Sequence, residues 1–427
     1  MRRYESYKDS GVEWLGEVPS HWDVQRSKFI FKKIERKVNE EDQIVTCFRD
    51  GQVTLRANRR TEGFTNALKE HGYQGIRKGD LVIHAMDAFA GAIGISDSDG
   101  KATPVYSVCL PHNKQKIDVY FYAYYLRNLA LSGFISSLAK GIRERSTDFR
   151  YADFAELLLP IPPYLEQQKI AQFLDDKTAK IDQAVALAEN QIALLKEHKQ
   201  ILIQNTVTRG LNPDVPLKDS GVEWIGQVPE HWDVKKLKFV SKINQHTLPE
   251  NTNGSLIIKY VDIGSVSFEN GIEKVENFSF KNAPSRARRL ANKGDIVVST
   301  VRTYLKAITM VKEEYQDCIF STGFAVVTSN ECLKDSFFEL YAKSDAFTEQ
   351  VSVSSKGMSY PAINSTDLSN LWITVPPLSE QQKIADYLDT QTAKIDQAIA
   401  LKTAHIEKLK EYKNVLINDV VTGKVRV

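Results

Sequence analysis

Apolar residues recur every seven positions along two long stretches of this chain. In the first, Leu174, Ile181, Ala188, Leu195 and Leu202 form one line, and Ala171, Thr178, Val185 and Ile192 form a second that breaks at Lys199. In the second, Leu388, Ile395, Lys402, Leu409 and Leu416 run beside Ala385, Thr392, Ile399, Ile406 and Lys413. A heptad of this kind predicts long helices whose narrow apolar seam faces another helix. No Gly or Pro falls between Pro163 and Gly210, or between Pro377 and Gly423, so Pro-Pro reads as the start signal and Gly as the stop. About 40 residues at ~1.5 Å each make a rod of roughly 60 Å. A helix that only covers its own globular domain needs a shorter stripe. One sustained through both stretches favours pairing of the two helices, tethered on one chain. The expected contacts are Leu174, Ile181, Val185, Ile192, Leu195 and Leu202 with Leu388, Ile395, Ile399, Ile406, Leu409 and Leu416.

Residues 25–160 and 235–375 carry mixed patterning that predicts α/β structure. Lys78-Gly-Asp-Leu-Val-Ile83 and Lys293-Gly-Asp-Ile-Val-Val298 each read as a turn entering a buried strand. Val119-Tyr-Phe-Tyr-Ala-Tyr-Tyr-Leu126 and Ser336-Phe-Phe-Glu-Leu-Tyr341 have helical spacing and are expected to pack on the sheet. The order repeats because the chain is one module written twice. Asp9-Ser-Gly-Val-Glu-Trp-Leu-Gly-Glu-Val-Pro-Ser-His-Trp-Asp-Val24 returns as Asp219-Ser-Gly-Val-Glu-Trp-Ile-Gly-Gln-Val-Pro-Glu-His-Trp-Asp-Val234. Glu166-Gln-Gln-Lys-Ile-Ala171, after Pro162-Pro163, returns as Glu380-Gln-Gln-Lys-Ile-Ala385 after Pro376-Pro377. A period this long marks a duplicated domain, not a solenoid. The expected boundaries are 1–162, 163–210, 211–376 and 377–427. Heads and tails are nearly constant, but the middles are not. Just after the common strand, Asp87 and Phe89 of the first copy align with Arg302 and Tyr304 of the second, so the two copies are expected to bind different things.

Composition narrows the class. Hydrophobic residues make up 42% of the chain and charged residues 26%, as in a soluble globular protein, and 427 residues suit two or three domains. The formal charge of +2 gives no global basic field, which leaves a base-reading protein with local patches open. Cys47, Cys109, Cys318 and Cys332 lie far apart, without zinc spacing. No apolar run follows the start and none approaches the roughly 20 residues of a membrane span, so a soluble cytoplasmic protein is expected.

Several catalytic resemblances fail on their chemistry. Ile161-Pro-Pro-Tyr164 is similar to the loop of amino-methyltransferases but has no amide or carboxylate to hold an amine, and its counterpart is Val375-Pro-Pro-Leu378. Phe89-Ala-Gly-Ala-Ile-Gly94 reads as a strand-connecting turn, not a cofactor loop. Glu197-His-Lys199 and Glu411-Tyr-Lys413 sit near helix ends, without the partner Asp that a nuclease metal needs. There is no Walker A sequence. His21 and His231 are expected to be structural, bonding near Trp22 and Trp232. No catalytic, metal or cofactor residue is therefore assigned.

Basic clusters remain. The first middle has Arg56, Asn58, Arg59, Arg60, Arg143 and Arg145; the second has Arg286, Arg288, Arg289, Arg302 and Lys356, with Ser355, Tyr304 and Tyr360 interleaved. Each cluster could contact DNA phosphates or base edges, or be a solvated face; their presence in both middles puts the two readings level.

The whole arrangement resembles the specificity subunit of type I restriction–modification systems. Ser10-Gly-Val-Glu-Trp14, the Pro-Pro and Glu-Gln-Gln-Lys-Ile-Ala tail, and the duplication of all of it carry the resemblance across essentially the full chain. It implies two target-recognition domains, each reading one half of a bipartite DNA site. It also implies two long helices forming an antiparallel coiled coil with pseudo-two-fold symmetry, which spaces the readers and docks two methyltransferase subunits. S-adenosylmethionine, and ATP and Mg where two motor–nuclease subunits join, are then expected in the partners. A self-contained methyltransferase or nuclease and a protein-interaction scaffold are the alternatives.

Overall fold

The computed structural model describes residues 2–59, 62, 71–138 and 148–427. The chain divides into two compact units, one of Met1–Ala188 with Ala404–Val427, the other of Glu189–Thr403. The two long helices expected from the heptads run from Tyr164 to Arg209 and from Leu378 to Val421. Each helix gives one part to each unit, so the compact units cut the helices where the sequence boundaries keep them whole. No helix among the described residues is long and apolar enough to cross a membrane.

Each unit is built on a four-stranded antiparallel sheet of the same order. In the first unit the strands lie as Phe31–Lys33, Tyr106–Pro111, Leu81–His84 and Ile93–Ile95; in the second as Ser241–Ile243, Phe324–Ser329, Ile296–Ser299 and Ile308–Met310. The Lys-Gly-Asp turns feed the third strand of each, as expected. Gly79 and Gly294 take φ 89 and φ 92, which the turn needs, and Asp80 and Asp295 accept from the backbone N–H of Arg77 (2.8 Å) and Asn292 (2.7 Å). The strands that follow are buried on both faces, as their unbroken apolar runs require. The aromatic helices Val119–Leu131 and Asp335–Ala342 cover one face. Their Phe121, Tyr122 and Tyr125, and Phe337, Phe338 and Tyr341, are fully buried. The second unit adds another four-stranded sheet, ordered Glu276–Ser279, Ile257–Val261, Cys318–Ser321 and Ala287–Leu290.

The repeated head and tail motifs turn out to be the two sides of one joint. Trp22 and Trp232 are completely buried, so their indole N–H groups need partners. Glu166 accepts from Trp22 Nε1 at 3.1 Å, and Glu380 from Trp232 Nε1 at 2.9 Å. His21 and His231 sit 2.8 Å from the same carboxylates, which gives the histidines the structural place expected of them. The following glutamines are also buried. Gln167 accepts from the Asp118 N–H and donates to the carbonyls of Lys116 and Pro162; Gln381 accepts from Lys334 and donates to Cys332 and Pro376. The stop glycines complete the joint. Gly210 (φ 77) would put a Cβ 3.1 Å from Trp232, and Gly423 (φ 76) would put one 2.5 Å from Pro19 and 3.0 Å from Trp22.

Within the units the long helices meet each other. The first unit buries Leu174 and Ile181 with Leu416, and the second buries Leu388 with Ile203 and Val207. All twelve expected seam residues are buried or half-buried. The heptads overlooked Ile203, Val207, Ile417, Val420 and Val421, which enter the globular cores instead. The lysines that interrupt the seam are bonded across it. Lys199 Nζ lies 2.7 Å from Asp396 and Lys402 Nζ 2.6 Å from Gln191 in the second unit, and Lys413 Nζ 2.6 Å from Asp182 in the first.

Candidate nucleic-acid interface

In the second unit the buried strand Ile296–Ser299 runs out into a surface turn stitched down on both sides. Thr300 donates backbone and side chain to the Gly323 carbonyl, at 2.8 and 2.9 Å. Beyond it Arg302 (φ 52) and Lys306 (φ 46) are both left-handed and flank the one-turn segment Thr303–Leu305. Two such residues without glycine cost about 1–3 kcal/mol each, which a surrounding framework must offset. That framework is a second loop. Thr303 Oγ1 lies 2.9 Å from Ser355 Oγ, and the Ile363 N–H donates to Thr300 at 2.9 Å. Lys356 and Ala362 exchange backbone bonds of 2.8 and 2.9 Å across a loop that turns at Gly357, whose φ of 102 an L side chain rarely adopts.

Four of the expected residues thus come together: Arg302, Tyr304, Lys356 and Tyr360. Tyr304 and Tyr360 are 60% and 66% exposed, where a folded domain would ordinarily bury rings. The Arg302 guanidinium lies over the Tyr360 ring, 5.3 Å from its centre. Lys356 is 3.8 Å from Asp367. Arg286 is exposed, and its carbonyl accepts from Thr322, one residue before the Gly323 that anchors Thr300. Arg288 and Arg289 belong elsewhere: Arg288 packs over Phe280 at 4.7 Å, and the half-buried Arg289 has its guanidinium depressed by burial.

The first unit places a different surface at the same strand end. Asp87 lies 2.8 Å from Arg49 and 3.1 Å from His84, without hydrogen-bond alignment to the latter. Burial lowers the His84 pKa, against the opposing pull of Asp87. Arg59 is bonded to Asp50 at 2.6 Å and stacked on Phe48 at 4.3 Å. Arg56 is half-buried, 3.4 Å from Thr46 Oγ1, and Asn58 donates to Thr54 at 2.8 Å. Arg60, Arg143 and Arg145 lie outside the described residues. Arg49 escaped the sequence reading because it stands apart from any basic run; its only signal was the turn Phe48-Arg-Asp-Gly51 between two strands. No group of three or more His, Cys, Asp or Glu side chains among the described residues is placed to hold a metal.

The duplication of the scaffold is also what the family comparison delineates. The family model described as the type I restriction modification DNA specificity domain matches twice, over residues 22–194 and 229–411. The chain belongs to this family. Both matches open at the Trp–Glu joint of their copy and close within a long helix. Among curated proteins, the chain is 24% identical over 436 residues to the putative type I restriction enzyme MjaX specificity subunit of Methanocaldococcus jannaschii, covering 97% of this chain and 96% of that one. The MjaVIII specificity subunit of the same organism is 28% identical over 74% of this chain and 72% of its own. A solved chain from work on complex assembly and conformational transition of the type I R–M system has the same fold, with a TM-score of 0.73 at 17% identity, covering 96% of this chain and 99% of that one. The HsdS subunit from Thermoanaerobacter tengcongensis gives 0.57 at 17% identity over 96% and 98%.

Proposed function

We propose that this chain is the non-catalytic subunit that gives a type I restriction–modification assembly its DNA sequence, working in the cytoplasm. Each variable domain reads one half of an asymmetric site, and the long helices pair as an antiparallel coiled coil with pseudo-two-fold symmetry. The observation that carries this reading is the reciprocity of the seam. Lys199 bonds Asp396, and Lys413 bonds Asp182; the repeat maps each member of one pair onto a member of the other. Such reciprocity is what antiparallel copies of one helix produce. Half-buried lysines in an apolar seam favour one pairing register, because a slipped register takes them from their carboxylates.

Different chemistry at matching strand ends, Asp87 with Arg49 against Arg302 with Tyr304, supports two unlike half-sites. Leu187, Leu194 and Ile201 recur every seven along the first long helix yet stay exposed, which supports docking of helices from two methyltransferase subunits. Those partners bring S-adenosylmethionine, and motor–nuclease subunits, where present, bring ATP and Mg. The test is to co-express the chain with its modification subunits and sequence the methylated genome. Expected is one motif of two unlike halves at constant separation. Modification without such a motif, or complexes that bind all DNA equally, would refute the reading; methyl transfer by the purified chain without partners would make it an enzyme.

A further inference from the structure

We infer that Arg302 is the side chain with which the second unit selects a guanine in its half-site. The inference rests on the proposed DNA-recognition role and adds to it one residue, one base and one groove. Guanine presents O6 and N7 side by side on the major-groove edge, and a planar guanidinium can meet both at once. A phosphate asks only for positive charge, so any flexible basic side chain serves; reading a base edge requires a fork held in orientation. Arg302 is held in that way. It follows a fully buried strand, adopts φ 52 at the mouth of a one-turn segment, and lies over the Tyr360 ring at 5.3 Å. Tyr360 in turn belongs to the loop closed by the Lys356–Ala362 backbone bonds, and that loop is tied to the Arg302 turn through Thr303 and Ser355. A ring against one face of the guanidinium leaves its N–H edge open to a ligand.

Several other cations have a carboxylate beside them, although among the described residues the exposed Arg286 does not. Lys306 lies 3.5 Å from Glu349 and Lys356 lies 3.8 Å from Asp367, and in the first unit Arg59 and Arg49 have Asp50 and Asp87. Among the described residues, no carboxylate lies within ion-pair distance of Arg302. At the equivalent position the first unit presents Asp87, an acceptor, so the two units cannot share this contact.

Selection of bound DNA from a random library tests this, using the full chain assembled with its modification subunits. The wild type is expected to select guanine at a position in one half-site. Arg302→Lys and Arg302→Gln should lower that preference by roughly 5-fold to 150-fold, the range of one bidentate base contact. Tyr360→Phe, which keeps the ring, should retain it, and Tyr360→Ala should weaken that position only. Preference for the other half-site is the internal control for folding and should not change. If both Arg302 variants keep the full wild-type preference, or lose affinity equally for every sequence, the assignment is overturned while the recognition role stands. If the wild type selects no sequence at all, both fall.

Discussion

The adjacent glutamines of each Glu-Gln-Gln motif have different burdens. Gln167 is fully buried with three bonds to backbone groups, whereas Gln168 is exposed and reaches only Tyr164. Gln167→Leu strands the Asp118 N–H and two carbonyls, and is expected to cost about 3 kcal/mol or more, given about 1–3 kcal/mol for each unsatisfied buried group. Gln168→Leu should stay within about 0.5 kcal/mol; denaturant unfolding of the two variants makes the comparison. A second residue gives a pH dependence. Burial depresses the His84 pKa below its ordinary 6.5, so between that value and the folded one the unfolded chain binds the extra proton. Stability from this source is complete above about pH 6.5 and is lost as pH falls toward the folded value. His84→Asn should flatten that decline in unfolding midpoints measured from about pH 5 to pH 8. At this scale the sequence displayed the motifs without their reason. That Glu166 bonds a tryptophan over 140 positions earlier in the chain is a tertiary fact, invisible to local spacing.

Among the elements, the long helices were the most legible because a heptad states its own partner geometry. Their sequence also held what looked like flaws, Lys199, Lys402 and Lys413 at seam positions, and each is bonded across the seam. Lys199→Asp brings two acids together opposite Asp396, and Asp396→Lys two amines. Either reversal should destabilise the second unit by about 0.5–1 kcal/mol, a modest sum because Asp396 is more than half exposed. The double reversal should recover most of it, and a double-mutant cycle by thermal unfolding reads the coupling. What the heptads could not show is where the seam ends. Ile203 and Val207, like Ile417, Val420 and Val421, are apolar at helical spacing too, but they join a globular core in which the sheet and aromatic helix of a unit pack beside the other long helix. Strand order in the four-stranded sheets was equally hidden, because pairing joins segments far apart, such as Phe31–Lys33 with Tyr106–Pro111.

For the molecule as a whole, the duplication was plain in the sequence, and with it the expectation of two unlike sites; the bases were not, since on the proposed reading they depend on loops such as Arg302–Lys306 whose strained shape no periodicity encodes. The proposed division of labour, loops for letters and helices for spacing, makes the two separable by mutation. Removing one heptad from each long helix, at paired positions between the two bonded Lys–Asp pairs, shortens a helical spacer by about 10 Å, since seven residues rise ~1.5 Å each. DNA rises ~3.4 Å per base pair, so the gap between half-sites should contract by roughly three base pairs. Each half-site should keep its sequence, because the loops and their sheets are untouched. Removing a heptad from only one helix lets at most one of the two Lys–Asp pairs form in register, and should weaken assembly instead of shifting the gap. Methylome sequencing of cells carrying each variant reads motif and gap together. An unchanged gap in the paired deletion would mean that something other than the helices measures the distance.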